Sequence, residues 1–163
     1  PDMLVFSYAG DGATYSIGMQ HTIHTALRNE NITAIVVNNT NFGMTGGQMS
    51  PATLIGQKTT SSPKGRTAEL NGNPIDITEV YSGMKIAYLA RGSVDSVANI
   101  NKTKAYIRKA FEKQMAGCGF SFVEIMAPCP TNWGMTALGS IKRMQDEVLK
   151  LYPVGEYIDG GAK

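Results

Sequence analysis

The sequence predicts an α/β fold: a doubly wound, mostly parallel sheet with helices on both faces. Three observations carry this. Short apolar runs recur along the chain, stretches of helical periodicity separate them, and the runs are continuous rather than alternating, as strands covered on both sides require. With 163 residues the chain has the length of one domain, 1–163, and can bury a proper core.

The elements follow in order. Leu4 to Tyr8 reads as a first buried strand, ending in Gly10-Asp11-Gly12. From about Ser16 to Asn29 the spacing is helical, with Ile17, Ile23, Ala26 and Leu27 available for a core face. Thr33 to Val37, "TAIVV", is a second buried strand. Residues 39 to 75 show no clear periodicity, and a loop of that length inside a compact domain usually has a functional reason. Asp76, with Glu79 three residues on, has the capping-box pattern and opens a helix to about Met84. Ile86 to Ala90 is a third strand, and Asn101 to Ala116 a charged amphipathic helix closed by Gly117. "FSFVEIM", Phe120 to Met126, is a fourth strand, and Ile141 to Leu151 a last helix before Pro153.

Composition excludes several classes. The net charge of +2, with acids and bases interspersed, argues against a nucleic-acid surface. No apolar run approaches the roughly 18 residues of a membrane span, so no membrane partner is expected. Two cysteines, Cys118 and Cys129, make no disulfide framework, and the expected compartment is the reducing cytoplasm. The chain opens on Pro1 and enters a strand almost at once, which reads as a fragment of a longer subunit.

Asp11 between two glycines can be a tight turn, or a place where backbone approaches a ligand while the acid grips a cation. In a doubly wound sheet, ligands bind at the carboxyl ends of strands. Gly10-Asp11-Gly12 and Asn38-Asn39 both stand at such ends. A bare phosphate beside Asp11 would be repelled by about 4 kcal/mol at 4 Å and an effective dielectric near 20. A divalent cation between them reverses the sign. Magnesium takes six oxygens and rarely draws all of them from protein. Asp11, the amide oxygen of Asn39, a backbone carbonyl of the following loop, two phosphate oxygens and a water would complete the set. The pattern therefore points to a Mg²⁺-bound diphosphate.

Gly-Asp-Gly, twenty-five residues, then Asn-Asn resembles the thiamine-diphosphate motif. The continuation "NFGMTGGQMSPAT" is similar to the 2-oxoacid:ferredoxin oxidoreductases, in the β subunit or equivalent domain, of the branched-chain 2-oxoacid (2-oxoisovalerate) or 2-oxoglutarate type. The likeness runs from about Leu4 to Trp133. It implies the thiamine-diphosphate-binding fold, and CoA-dependent oxidative decarboxylation of a 2-oxoacid to an acyl-CoA and CO₂, with electrons passing to ferredoxin. By position it makes Asp11 and Asn39 side-chain ligands of Mg²⁺, with Asn41 giving its backbone carbonyl. Gly10, Gly12 and Ala13 would lie against the diphosphate. Phe42, Met44 and Thr45 would approach cofactor and substrate; pyruvate enzymes resemble one another in carrying Asn where this chain has Met44, which points away from pyruvate.

The resemblance also makes Cys129, in "MAPCPTNWG", a ligand of a 4Fe–4S cluster in the intact subunit, its three companions lying in an upstream segment absent from these 163 residues. Such a cluster needs four thiolates, so none is expected in this fragment. It further implies a companion α subunit or domain carrying the Glu that faces the aminopyrimidine ring, hence a hetero-oligomer and an isolated chain without turnover. Alternatives at this stage are a non-redox thiamine-diphosphate decarboxylase or synthase domain, and a non-catalytic α/β domain binding a phosphate ligand. His21 and His24, at helical spacing, lack a third metal ligand in sequence. The stretch "KTTSSPKGR" in the 54–75 loop reads as a solvated loop or a meeting point for acidic groups or coenzyme A.

Overall fold

The computed structural model describes residues 3–160; Pro1, on which the expectation about the chain's start rests, lies outside them. A five-stranded sheet runs through the middle. Its strands are β1 (Phe6–Gly10), β2 (Thr33–Asn38), β5 (Tyr88–Ser93), β6 (Ser121–Met126) and β7 (Gly155–Asp159), in the order β1-β2-β6-β5-β7. The first four are parallel, and β7 runs antiparallel along β5. A small antiparallel pair, β3 (Asn41–Phe42) and β4 (Gln48–Met49), stands apart within the loop that looked aperiodic. The expected architecture holds. The sequence does not reveal the β7 edge strand, because five polar-rich residues after Pro153 carry too weak an alternation.

Alternate residues of the central strands serve two cores, the period of two that a pleated strand imposes. Ala34, Val36, Leu89, Phe122 and Met126 face a larger core, closed by residues of α1 (Met19–Leu27), α3 (Ile77–Tyr81) and the C-terminal helical region. Ile35, Tyr88, Ala90, Val123 and Ile125 face a smaller core, covered by Tyr106, Ile107, Ala110 and Phe111 of α4 (Val97–Met115). Helices thus cover both faces. The remaining helices are α2 (Ala68–Asn71), α5 (Pro130–Trp133), α6 (Ala137–Arg143) and α7 (Leu149–Leu151), with a π-helical turn joining the last two.

Several elements depart from the sequence reading. The first strand begins later than Leu4 and is not buried: Phe6 is 53% and Tyr8 69% exposed, since β1 lies at the sheet edge, where Phe111 of α4 meets Phe6. In the first helix, Ala26 is buried and Ile23 packs on the core, but Ile17 and Leu27 are exposed. A π-helical turn at Ala13–Ile17 precedes α1 and shifts the phase of its faces. Helix α3 ends at Tyr81 rather than near Met84. Its cap, Asp76, accepts from the Thr78 N–H at 2.9 Å and also receives Arg91, so the Glu79 half of the capping box is not what holds this end. The long amphipathic helix starts at Val97, capped by Ser96, and stops before Gly117, whose φ of +72° suits glycine. The last helical region starts at Ala137, capped by Thr136.

Candidate functional site

Register brings the predicted residues together. Gly10 pairs with Val37, and Asn38 pairs with Met126, which pairs in turn with Ser93, so the parallel strands end along one edge. At the β1–β2 end of that edge lies a cleft of about 250 Å³. Gly10, Asp11, Gly12, Ala13, Asn39, Asn41, Phe42, Gly43, Met44 and Thr45 line it. Every residue assigned to the cofactor from sequence is present, and Gly43 is the one addition.

Gly12 serves a purpose other than the one its type suggests. Gly12 has ordinary helical angles, φ −59° and ψ −43°, so no unusual turn requires it. What it gives is space, because a Cβ there would stand 2.5 Å from the Phe42 ring. Phe42 can therefore lie flush against the start of the helix, and the two walls of the cleft meet.

Asp11 is 1% exposed. Ser50 Oγ donates to its Oδ2 at 2.5 Å, and the backbone amides of Asn39, Asp11 and Gly12 also face the carboxylate. Burial nevertheless dominates and pushes the Asp11 carboxyl up to about 7, since among the described residues no cationic side chain pairs with it to offset the loss of water. Oδ1 faces the Asn39 side chain. The amide atom of Asn39 on that side lies 3.2 Å from Asp11 Oδ1 and 2.7 Å from the Asn41 carbonyl oxygen. A nitrogen there would donate to both. An oxygen there accepts from the Asn41 N–H at 3.3 Å and leaves three acceptors gathered round one point. Separations of 2.7 and 3.2 Å bracket the edge of about 2.9 Å in an octahedron with magnesium–oxygen bonds of about 2.0–2.1 Å. The donor set fits a hard, small cation.

Thr40, between the two asparagines, has φ +62°, a left-handed conformation that a β-branched residue rarely adopts. Its surroundings over-determine it. The Thr40 N–H donates to Asn38 Oδ1 at 2.9 Å, and its Oγ1 donates to Gln57 Oε1 at 3.0 Å. Its carbonyl accepts from Thr53 Oγ1 at 2.6 Å and Gln57 Nε2 at 3.1 Å. Such strain costs on the order of 1–3 kcal/mol and persists only where neighbours enforce it. Ser50 and Thr53 belong to one turn, "SPAT", which therefore fixes both Asp11 and Thr40. Arg66, 4% exposed, anchors that turn to the far end of the loop. It donates to the carbonyls of Ser50, Pro51 and Thr53 on one side and of Asn71, Gly72 and Asn73 on the other.

Met44, 99% exposed, and Thr45 stand at the mouth, where Thr45 Oγ1 donates to Gln48 Oε1 at 2.6 Å. Cys129, just past β6, is half-buried and outside the cleft lining. Asn132 ties it to the loop: Asn132 Nδ2 lies 3.3 Å from Cys129 Sγ, 3.2 Å from Asn41 Oδ1 and 3.4 Å from the Gly43 carbonyl. Cys118 is buried before β6, at the strand's other end. His21 and His24 lie outside the cleft, on a separate surface with Arg28 and Glu30, and among the described residues no group of three metal-ligating side chains includes them.

Residues 1–125 match the family described as thiamine pyrophosphate enzyme, C-terminal TPP binding domain. The chain belongs to this family. Its relatives include the ketoisovalerate oxidoreductase subunit VorA of Methanothermobacter thermautotrophicus, 37% identical over 99% of this chain and 34% of that protein. The 2-oxoglutarate synthase subunit KorB of Archaeoglobus fulgidus is 34% identical, over 90% of this chain and 51% of KorB. Among solved structures, a 2-oxoglutarate:ferredoxin oxidoreductase from Magnetococcus marinus, with 2-oxoglutarate, coenzyme A and succinyl-CoA bound, superposes with a TM-score of 0.78. That match is 25% identical and covers 100% of this chain and 59% of the other. The chain is thus a thiamine-diphosphate-binding domain homologous to subunits of 2-oxoacid:ferredoxin oxidoreductases, and it spans about a third to a half of the curated relatives described.

Proposed function

We propose that this chain holds the Mg²⁺-diphosphate half of the thiamine diphosphate site of a 2-oxoacid:ferredoxin oxidoreductase. The observation that carries the reading is the convergence of Asp11 Oδ1, the Asn41 carbonyl oxygen and the Asn39 side-chain amide in one corner of a cleft with no cationic side chain in its lining. Asp11 and Asn39 would hold the metal by side chain and Asn41 by its carbonyl. Gly10, Gly12 and Ala13 leave backbone open to the diphosphate, and Phe42 closes the cleft beneath it. When bound, thiamine diphosphate supplies the carbanion chemistry that cleaves a 2-oxoacid next to its carbonyl. The chain's own part is to bind, orient and neutralise. Ser50 keeps Asp11 Oδ2 occupied, which leaves Oδ1 to face the metal.

The substrate class that fits is a branched-chain 2-oxoacid or 2-oxoglutarate, converted with coenzyme A and oxidised ferredoxin to acyl-CoA, CO₂ and reduced ferredoxin. Met44 and Thr45, at the mouth of the cleft, would stand nearest the substrate. A companion subunit or domain would bring the pyrimidine-side Glu. Cys129 would ligate a 4Fe–4S cluster completed by residues beyond this chain, which has two cysteines in all. Calorimetry with thiamine diphosphate, with and without Mg²⁺, tests the reading. Binding should require Mg²⁺ and disappear in Asp11→Ala; metal-independent binding would overturn it. Ferredoxin-coupled turnover by the isolated chain would refute the half-site.

A further inference from the structure

Glu124 lies in the middle of β6, 1% exposed and outside the lining of the cleft. All its partners are donors. Oε1 accepts from Tyr15 Oη at 2.7 Å and from Asn38 Nδ2 at 2.7 Å, while Oε2 receives Arg91 Nε. Arg91, fully buried, reaches Asp76 Oδ1 with Nη2 at 2.6 Å and stacks on Tyr152 and Tyr157.

The two donors on Oε1 come from opposite walls of the cleft. Tyr15 belongs to the helical turn that begins immediately after Asp11-Gly12. Asn38 immediately precedes Asn39, and its Oδ1 receives the N–H of the left-handed Thr40. One carboxylate oxygen therefore joins the segment carrying Asp11 to the segment carrying Asn39, from below and out of reach of ligand. We infer that Glu124 is a positioning residue, a staple that sets the separation of the two metal-bearing segments. Its counter-charge Arg91 is supplied from behind, so the negative charge is satisfied without drawing on the metal. The inference rests on the half-site reading above.

An amide cannot substitute. Whichever way the side chain of the Glu124→Gln variant turned, its NH₂ would face a group that can only donate: Asn38 Nδ2 on one side, Arg91 Nε on the other. Glu124→Gln should weaken Mg²⁺-dependent thiamine diphosphate binding by about tenfold or more. Tyr15→Phe, which removes one arm and leaves the Arg91 pair intact, should weaken it several-fold with little change in unfolding midpoint; it serves if Glu124→Gln does not fold. Asp76→Asn loosens the same buried network on the side away from the cleft, and should lower the midpoint while binding stays within about twofold of wild type. Amide exchange at Thr40 in the ligand-free chain gives a second readout, and should quicken in Tyr15→Phe and not in Asp76→Asn. If wild type fails to bind with Mg²⁺, the half-site reading and this inference fall together. If wild type binds and Tyr15→Phe matches it in both affinity and exchange, or Asp76→Asn loses as much as Tyr15→Phe, the inference alone falls.

Discussion

Two carboxylates, Asp11 and Glu124, are each 1% exposed, and they are treated in opposite ways. Glu124 is given an arginine, a tyrosine and an asparagine, so its charge is matched inside the protein. Asp11 is given a serine and backbone amides and no cation at all, and burial pushes its carboxyl up to about 7. Equal burial therefore carries different meaning. A buried acid with its counter-charge present is architecture; a buried acid without one leaves room for a cation, the role proposed for Asp11.

The contrast breaks most severely if Arg91 is dispensable. Arg91→Met strands Glu124 without a cation and should cost ~3–5 kcal/mol in urea unfolding. Adding Glu124→Gln to that variant should recover part of the loss, because the unpaired charge is gone. A neutral Arg91→Met would show that this interior tolerates a lone carboxylate, and the difference from Asp11 would lose its force.

The next effect concerns Asp11 in the metal-free chain. Its folded pKa of about 7 lies above the ordinary 3.8, so folding favours the protonated form. The stability this brings is complete below pH 4 and is lost as pH rises through 7. By pH 8 the burden should be on the order of 4 kcal/mol, and Asp11→Asn should melt above wild type at pH 8 while matching it near pH 4. The same variant should lose Mg²⁺-dependent binding of thiamine diphosphate. Identical pH profiles for the two proteins would mean that Asp11 carries its charge without help.

A smaller effect separates the two carboxylates by position. Gly12→Ala pushes a methyl group toward the Phe42 ring, on the Asp11 side, and touches nothing around Glu124. Overpacking of this kind costs ~1–3 kcal/mol, and trimming Phe42 in the same chain should restore it. Failure of that rescue would place the requirement for Gly12 elsewhere.

Much of the cleft could be read from local spacing. Gly-Asp-Gly and Asn-Asn each end a strand, and parallel pairing of consecutive strands brings such ends together. The reason for Gly12 could not be read, because it depends on Phe42, thirty positions on, and not on backbone angles. Glu124 was hidden more thoroughly. Inside "FSFVEIM" it passes for the polar slot of a strand, and its partners Tyr15 and Asn38 are 109 and 86 positions away. The exposure of β1 escaped for a related reason: an apolar run says that a strand is fit for burial, while the sheet order decides whether a neighbour covers it.

Arg66 gives the long 54–75 segment a property that its composition conceals. Without regular pairing over most of its length, and with Lys58 and Lys64 exposed on it, the segment looks like an invitation to trypsin. Yet one guanidinium holds carbonyls at both ends, so the chain between them is a closed loop clipped at its neck. Cleavage needs several residues to unfold into the protease's groove, and that cannot happen while the clip is shut. Limited trypsin digestion should leave this segment intact in the wild type and nick it at Lys58 or Lys64 in Arg66→Ala. The same nick would free the "SPAT" turn from its anchor, so the clip that protects the loop from digestion also protects the shape of the cleft.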